Sequence, residues 1–524
     1  MSANITQLGA AEIARRIAAG DLSASEVASA FIDRIQQVDA QLNSVIWPMF
    51  EQAREAANAA DVARRRGESL GPLHGVPVTI KECYHVAGTP SSIGLTHRID
   101  NLATADGVLV NRLRRAGAVV LGKTNLPQIM IWHESDNPVY GRTNNPWDVT
   151  RSPGGSTGGE AAIIAAGGSP LGLGGDLGGS IRLPCHFCGI HGIKPTSRRL
   201  SRQGTAVNLR GMEVIPFQSG PMARHVEDLE LALRVLASPL PDEVDETDVA
   251  QAPLGHTGEV RIEDLRIATW TDDGYFPAAP AIRRAVEEAA AALCARGATV
   301  ESFRPPEVSE AIRLYYAIVA ADGGADASRL LRGSRRDWRV RRLLWLARLP
   351  NLLRPAAAGG LRLIGQVRSA ELMAAARARS ADEFWRLTRA MTGYTRKFLT
   401  AMHQRGYEAL ICPPHALPAM QHGLAIDLIP AASYSFLPNL LGIPAGVVAA
   451  TRVRAGEESD RSSSRDHVEQ AARKAETGST GLPVGVQVAA RPWREDVVLA
   501  VMGALEDHFR KQSDYPDLSK LPIR

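Results

Sequence analysis

Two serines and a lysine carry the residue types needed for acyl transfer. Ser180 follows Leu177-Gly178-Gly179, and Ser156 follows Gly154-Gly155; both lie in the glycine-rich run from Arg151 to Pro184. Glycine costs roughly 0.5–1 kcal/mol against alanine inside a regular element. A run this rich in glycine therefore implies positive φ or close approach of the backbone to another group. Without Cβ atoms in the way, consecutive N–H groups before Ser180 can face one concavity, and such a nest binds an anion. Beside a serine it suits the oxyanion that develops on an acyl carbon under attack. A hydroxyl is a weak nucleophile at neutral pH and needs a base. Lys81 closes the apolar run His74–Lys81. A desolvated lysine loses its preference for the charged form and can accept a proton.

The same stretch admits other readings. A P-loop requires G-K-[ST] at its end, and the segment Gly154–Glu160 has no such lysine. The glycines around Gly172–Gly179 contain G-x-G but lack the strand–helix setting of a dinucleotide site. Gly154-Gly155-Ser156-Thr157-Gly158 matches the G-x-S-x-G nucleophile elbow, which needs a buried strand directly before the serine. The preceding residues, Thr143–Pro153, are polar and broken by proline. The elbow with Ser156 as nucleophile and the serine–serine–lysine set with Ser180 as nucleophile both stay open on residue types alone. Solvated loops and a solvated lysine are the non-catalytic alternative.

These side chains need elements to hold them. Residues 1–70 read as helices, with Ser23-Ala24-Ser25-Glu26 fitting a capping box and Phe50–Gly67 a second helix. His74–Val86 and Ala116–Asn125 read as short buried strands, and the segment after Ser156, Gly159–Gly168, as a helix. Ile443–Val453 and Gly481–Ala490 are two late strands, separated by a polar surface excursion at 454–480. Strands interleaved with helices predict an α/β fold: a single large domain with a mixed central sheet covered by helices.

Composition narrows the setting. The apolar share (45%) and charged share (22%) are those of a soluble globular chain, and a net charge of +4 over 524 residues gives no nucleic-acid signature. Five scattered cysteines make no disulfide framework, so a reducing, cytoplasmic setting is expected. Cys185-His186-Phe187-Cys188 is a lone C-x-x-C, too few ligands for a zinc site, and reads as small buried residues. No metal and no cofactor are expected. Charges run through Met1–Val27, so no signal peptide is expected, and no apolar run reaches the ~18 residues of a membrane span.

Together, Gly71–Glu82, Ser152–Ala162, Gly174–Thr196 and Gly481–Val488 closely resemble the amidase signature family. The likeness runs from about residue 10 to about residue 508 with the motifs in the family's order. Within the family the chain resembles the fatty-acid amide hydrolases most, through Ile80–Leu95, Ser169–Ile190 and Gly481–Leu499. The resemblance implies the amidase signature fold over 71–524, with the segment 1–70 packed on it. It implies a Ser–cis-Ser–Lys triad: Ser180 as nucleophile, Ser156 after a cis Gly155–Ser156 peptide as proton relay, and Lys81 as base. Backbone N–H groups of Leu177, Gly178, Gly179 and Ser180 would form the oxyanion hole, with Asp176 and Arg182 holding the loop. Thr157 stands where many members have a second serine and keeps the hydroxyl.

The implied activity is hydrolysis of carboxylic amides through an acyl-enzyme, on long-chain fatty-acid amides. Smaller or aryl amides, esters or carbamates are the alternative within the family. Glutamine-dependent amidotransferase subunits share the signature but need partner subunits. A non-catalytic scaffold or membrane-binding protein is the alternative of another class. In the fatty-acid amide hydrolases a segment at 329–365 caps the entrance and dips into the membrane. Here Arg332–Gly365 mixes arginines with Trp338, Trp345, Leu349 and Leu352, and prolines are expected to split it into two short helices. Peripheral membrane contact through 332–365 and packing as a helical hairpin on the protein's own surface or at a homodimer contact are both expectations. The partner implied in either case is a small-molecule amide.

Overall fold

The computed structural model describes residues 5–240, 249–250 and 252–523. Thirteen strands follow in chain order: β1 (Val45–Pro48), β2 (Pro77–Lys81), β3 (Val119–Thr124), β4 (Asp136–Asn137), β5 (Gly141–Arg142), β6 (Leu171–Asp176), β7 (His191–Lys194), β8 (Gln218–Ala223), β9 (Arg266–Thr269), β10 (Thr299–Ser302), β11 (Ala409–Cys412), β12 (Ala445–Arg452) and β13 (Pro483–Ala490). Eleven form one sheet in the order β1-β3-β2-β6-β8-β7-β12-β13-β11-β9-β10, and β4 pairs with β5 alone. The sheet is mixed. β3, β2 and β6 run parallel at one end, β11, β9 and β10 at the other, and the strands between pair antiparallel. This is the single-domain α/β fold with a mixed sheet that the strand–helix alternation predicts.

The parallel strands explain the apolar runs. Every residue of β2, β3 and β6 is buried, because helices cover both faces of a parallel sheet. The helix Gly158–Ala165 precedes β6 and is buried at all eight positions. It is apolar all round apart from Glu160, as an interior helix must be. The capping box forms as predicted: the Ser23 side chain accepts from the Glu26 N–H while the Glu26 carboxylate accepts from the Ser23 N–H.

Three features depart from the sequence reading. The segment 1–70 is not helical throughout, since Val45–Pro48 turns outward as β1 and pairs antiparallel with β3. The polar stretch 454–480 contains a helix, His467–Glu476, whose Glu476 is buried against Arg461. A charged stretch conceals that helix because its apolar face is only Val468, Ala472 and Ala475. The segment 332–365 does form two helices, Trp338–Ala347 and Arg354–Leu363, but Pro355 sits in the first turn of the second, where proline is tolerated.

Candidate active site

The site lies where the carboxyl ends of β2 and β6 meet, the usual ligand position of an open α/β sheet. Lys81 is the last residue of β2 and Asp176 the last of β6. The parallel register Ile80↔Leu173 sets Lys81 beside Gly174 and Gly175. Close approach demands glycine here, since a Cβ on Gly175 would stand 1.9 Å from the Phe217 ring. The chain then crosses the same spot again at Gly155–Ser156, whose peptide is cis. A Cβ on Gly155 would stand 2.6 Å from the Glu134 backbone nitrogen, so this position too admits only glycine.

Lys81 is fully buried. Its Nζ lies 2.8 Å from Ser156 Oγ, 2.8 Å from Thr157 Oγ1 and 3.2 Å from the Gly175 carbonyl oxygen. Burial pushes the ammonium down to about 8, and the nearby carboxylates of Asp176 and Glu160 limit the fall. The three contacts sort themselves once the amine is neutral. The Gly175 carbonyl can only accept. Thr157 Oγ1 gives its own proton to that carbonyl at 3.1 Å, so it accepts from the lysine. Two N–H bonds are thereby used, and the lone pair is left for the Ser156 hydroxyl. Glu160 sits nearby, buried, accepting from Thr124 Oγ1 at 2.7 Å and from Thr79 Oγ1; burial raises its carboxyl to about 7 against those hydrogen bonds.

Ser180 and Ser156 are joined through backbone. The Thr157 N–H donates to the Ser180 carbonyl at 3.2 Å, and among the described residues no hydrogen bond links the two serine hydroxyls. Ser180 is 7% exposed and Ser156 1%, so only Ser180 of the pair opens outward. The turn before it behaves unequally. The Gly179 N–H donates to Asp176 Oδ1 at 2.8 Å, and Gly179 has φ +99. Of the four N–H groups expected in the oxyanion hole, that of Gly179 is bonded to this carboxylate. Among the described residues, the N–H groups of Leu177, Gly178 and Ser180 have no acceptor in the chain.

Asp176 is the anchor of this turn. Arg182 Nε reaches its Oδ2 at 3.1 Å and Nη2 its Oδ1 at 3.0 Å, with Ile181 N–H and Asn439 Nδ2 completing the shell. Burial alone would raise the Asp176 carboxyl, but the Arg182 guanidinium overrides it and holds the group well below the usual carboxylate range. Arg182 Nη1 in turn donates to Gln487 Oε1 on β13 at 2.7 Å. Asn439 and Gln487 escape a reading of sequence, although Gln487 is the lone polar side chain in an apolar strand and Glu160 the lone acid in an apolar helix; those isolated polar positions are the available signal. His133, Tyr315 and Phe217 give none.

A cavity of about 220 Å³ opens beside Leu177 and Phe217, lined further by Val207, Asn208, Leu209 and Met212. A larger groove of about 660 Å³ runs past Arg198, Arg396 and Leu399; among the described residues lining them, neither cavity includes Lys81, Ser156 or Ser180. Cys185, His186 and Cys188 are buried on the helix Arg182–Cys188 with both thiols free. Among the described residues, no three His, Cys, Asp or Glu side chains are grouped to hold a metal ion.

The family model for amidases matches residues 26–499. The chain belongs to the amidase signature family. It is an amide hydrolase acting on carbon–nitrogen bonds other than peptide bonds. Fatty-acid amide hydrolase 1 of Sus scrofa is 35% identical over 502 residues, covering 94% of this chain and 84% of that protein. A glutamyl-tRNA(Gln) amidotransferase subunit of Symbiobacterium thermophilum is 30% identical, covering 98% of this chain and 99% of that protein. Among solved structures, a fatty acid amide hydrolase superposes with a TM-score of 0.83 at 27% identity, covering 99% of this chain and 87% of that one.

Proposed function

We propose that this amidase works through Ser180 as nucleophile, Ser156 as proton relay and Lys81 as base, on long-chain fatty-acid amides. The observation that carries the chemistry is the Lys81–Ser156 contact, made by a buried amine whose lone pair is left for that hydroxyl. In acylation Lys81 takes the Ser156 proton as Ser156 takes that of Ser180, and Ser180 Oγ bonds to the amide carbon. The oxyanion settles against the free N–H groups of Leu177, Gly178 and Ser180. Collapse breaks the C–N bond, with the proton returned through Ser156 to the leaving amine. Water then releases the acid by the same relay in reverse. The substrate class rests on the fatty-acid amide hydrolases found among the relatives.

The spread of relatives, which includes an amidotransferase subunit and an amidase, supports a second reading, smaller amides. A hydrolysis screen over amides of graded acyl length separates the two: rates rising with chain length support fatty amides, and rates falling support small ones. A fluorophosphonate adduct located on Ser180 by mass spectrometry, and lost in Ser180→Ala, supports the nucleophile; an adduct on Ser156 sinks it.

Peripheral membrane contact is the proposed role of the outer surface of 338–385. Trp345 (70% exposed), Leu363 (90%) and Trp385 (72%) project from three helices, and Leu352 (89%) from the turn between the first two. Large apolar side chains exposed in this number support an interaction site. A homodimer contact is the competing use of the same face. Among the described residues, no helix is long and apolar enough to cross a membrane.

A further inference from the structure

The turn Leu177–Ser180 poses a problem that its own residues do not solve. Glycine peptides rotate freely, and a flipped plane would present a carbonyl where the oxyanion must bind. Something outside the turn must fix the planes. We infer that Tyr315 and His133 are the positioning residues that do so: Tyr315 aims the Gly178 N–H at the reacting oxygen, and His133 aims the Gly179 N–H at Asp176. The inference rests on Ser180 being the nucleophile.

The geometry is specific. The Tyr315 hydroxyl donates to the Leu177 carbonyl at 3.1 Å. The Leu177–Gly178 peptide is trans, so its N–H points opposite to that carbonyl. Holding the carbonyl against Tyr315 therefore turns the Gly178 N–H away, and it finds no acceptor among the described residues. His133 Nε2 lies 3.1 Å from the Gly178 carbonyl, which can only accept, so this nitrogen carries the proton. The same trans geometry turns the Gly179 N–H toward Asp176 Oδ1, where it is bonded at 2.8 Å.

Both clamps are themselves fixed. The Tyr315 ring stacks on Phe436 at 4.4 Å with planes 18° apart, and the His133 ring lies 5.9 Å from the same phenyl. Burial raises the Tyr315 phenol and pushes the His133 imidazolium down to about 4, so near neutral pH one is a phenol and the other an uncharged ring. A Cβ on Gly178 would stand 2.3 Å from the Tyr315 oxygen, so the clamp closes only on glycine.

The test compares Tyr315→Phe, which keeps the stacking ring and removes the donor, with wild type on one amide substrate. It adds the trifluoromethyl ketone of that substrate and the matching secondary alcohol. On the ketone, Ser180 Oγ bonds to the carbonyl carbon, the C=O pair becomes an alkoxide, and the serine proton passes through Ser156 to Lys81. The alcohol cannot form that oxyanion. Tyr315→Phe is expected to lower kcat by about 10- to 100-fold with KM within about twofold. Ketone affinity should fall by the same factor and alcohol affinity should hold. His133→Leu should lose activity similarly, and His133→Gln, which keeps a donor, should recover most of it. An unchanged kcat in Tyr315→Phe overturns the inference. So does equal weakening of ketone and alcohol, which would make Tyr315 a wall of the substrate pocket. Ser180→Ala separates the layers: residual turnover in it would sink the nucleophile reading itself, whereas an inert Ser180→Ala beside a fully active Tyr315→Phe sinks only this inference.

Discussion

Arg339 Nη1 donates to Glu134 Oε2 at 2.9 Å, with both side chains buried. Arg339 belongs to the outer helix Trp338–Ala347, and the Glu134 backbone lies against Gly155, directly before Ser156. The carboxylate also accepts from the Gly423 and Ala425 N–H groups, and Asp136 and Asp337 complete the shell around the guanidinium. One buried ion cluster thus ties the outer helices to the wall of the active site.

The first prediction concerns that tie. Arg339→Met leaves a buried carboxylate without its cation, a change that costs about 3–5 kcal/mol. Denaturant unfolding should show it as a lower midpoint. Arg342→Met removes a partly exposed pair with Asp427 and should cost under about 1 kcal/mol. Equal effects of the two variants would mean that the Arg339 cluster is no anchor.

The second prediction concerns pH. As the proposed base, Lys81 acts only when neutral, and burial places its proton loss at about 8. The rate constant kcat/KM should therefore rise about tenfold per pH unit below about 8 and level off above. Glu160, whose carboxyl loses its proton at about 7, carries a charge near pH 8 that favours the ammonium. Glu160→Gln removes it, so the lysine gives up its proton more easily and the limb moves to lower pH, by under about one unit. A limb that moves to higher pH, or that survives in Lys81→Ala, would assign the titration to another group.

The third prediction concerns Thr157, whose hydroxyl accepts one lysine N–H and hands its own proton to Gly175. Thr157→Val leaves that N–H and the carbonyl short of a partner in a dry site, costing about 1–3 kcal/mol. Thr157→Ser keeps the hydroxyl and should retain activity within about threefold of wild type, whereas Thr157→Val should lose about tenfold or more in kcat. Equal activity in the two would show that the lone pair needs no such steering.

How far these features are legible in the sequence depends on range. β2, β3, β12, β13 and the helix after Ser156 are visible because each buries a continuous apolar run. The strand Val45–Pro48 is not, since four residues between two helices carry no period. Lys81, Ser156 and Ser180 are legible through glycines that only close approach explains. Their supports are not: Asn439, Gln487, Tyr315 and His133 come from distant elements and meet Asp176, Arg182 and the turn only through the sheet order. The arginines of 332–365 show the same limit. Arg339, Arg342 and Arg354 look available for lipid in sequence, yet Arg339 and Arg342 pair with acids and Arg354 spends its guanidinium on the carbonyls of Leu346, Ala347, Leu349, Met373 and Ala376.

The last prediction concerns the outer surface. With three arginines used internally, the basic groups left exposed around it include Arg332, Arg341, Arg348 and Arg362. Leu349 is half-buried, so it is a poor anchor, and Leu352 and Leu363 take its place. Arginine heads can meet anionic headgroups while tryptophan and leucine enter the interface. Wild type should therefore co-sediment with vesicles containing anionic lipid, and raising salt should weaken binding because the basic share is electrostatic. Replacing Trp345, Leu352 and Leu363 by serine removes the apolar share. Each lost side chain is worth about 1.5–3 kcal/mol if fully inserted, so binding should fall by well over tenfold. Turnover of long-chain amides on vesicles should drop with it, while a short soluble amide should be cleaved at the wild-type rate, since none of the three residues borders Lys81, Ser156 or Ser180. If wild type fails to bind at low salt and instead runs as a dimer that the triple variant dissociates, the exposed face is a contact between two copies of the chain and the membrane reading falls.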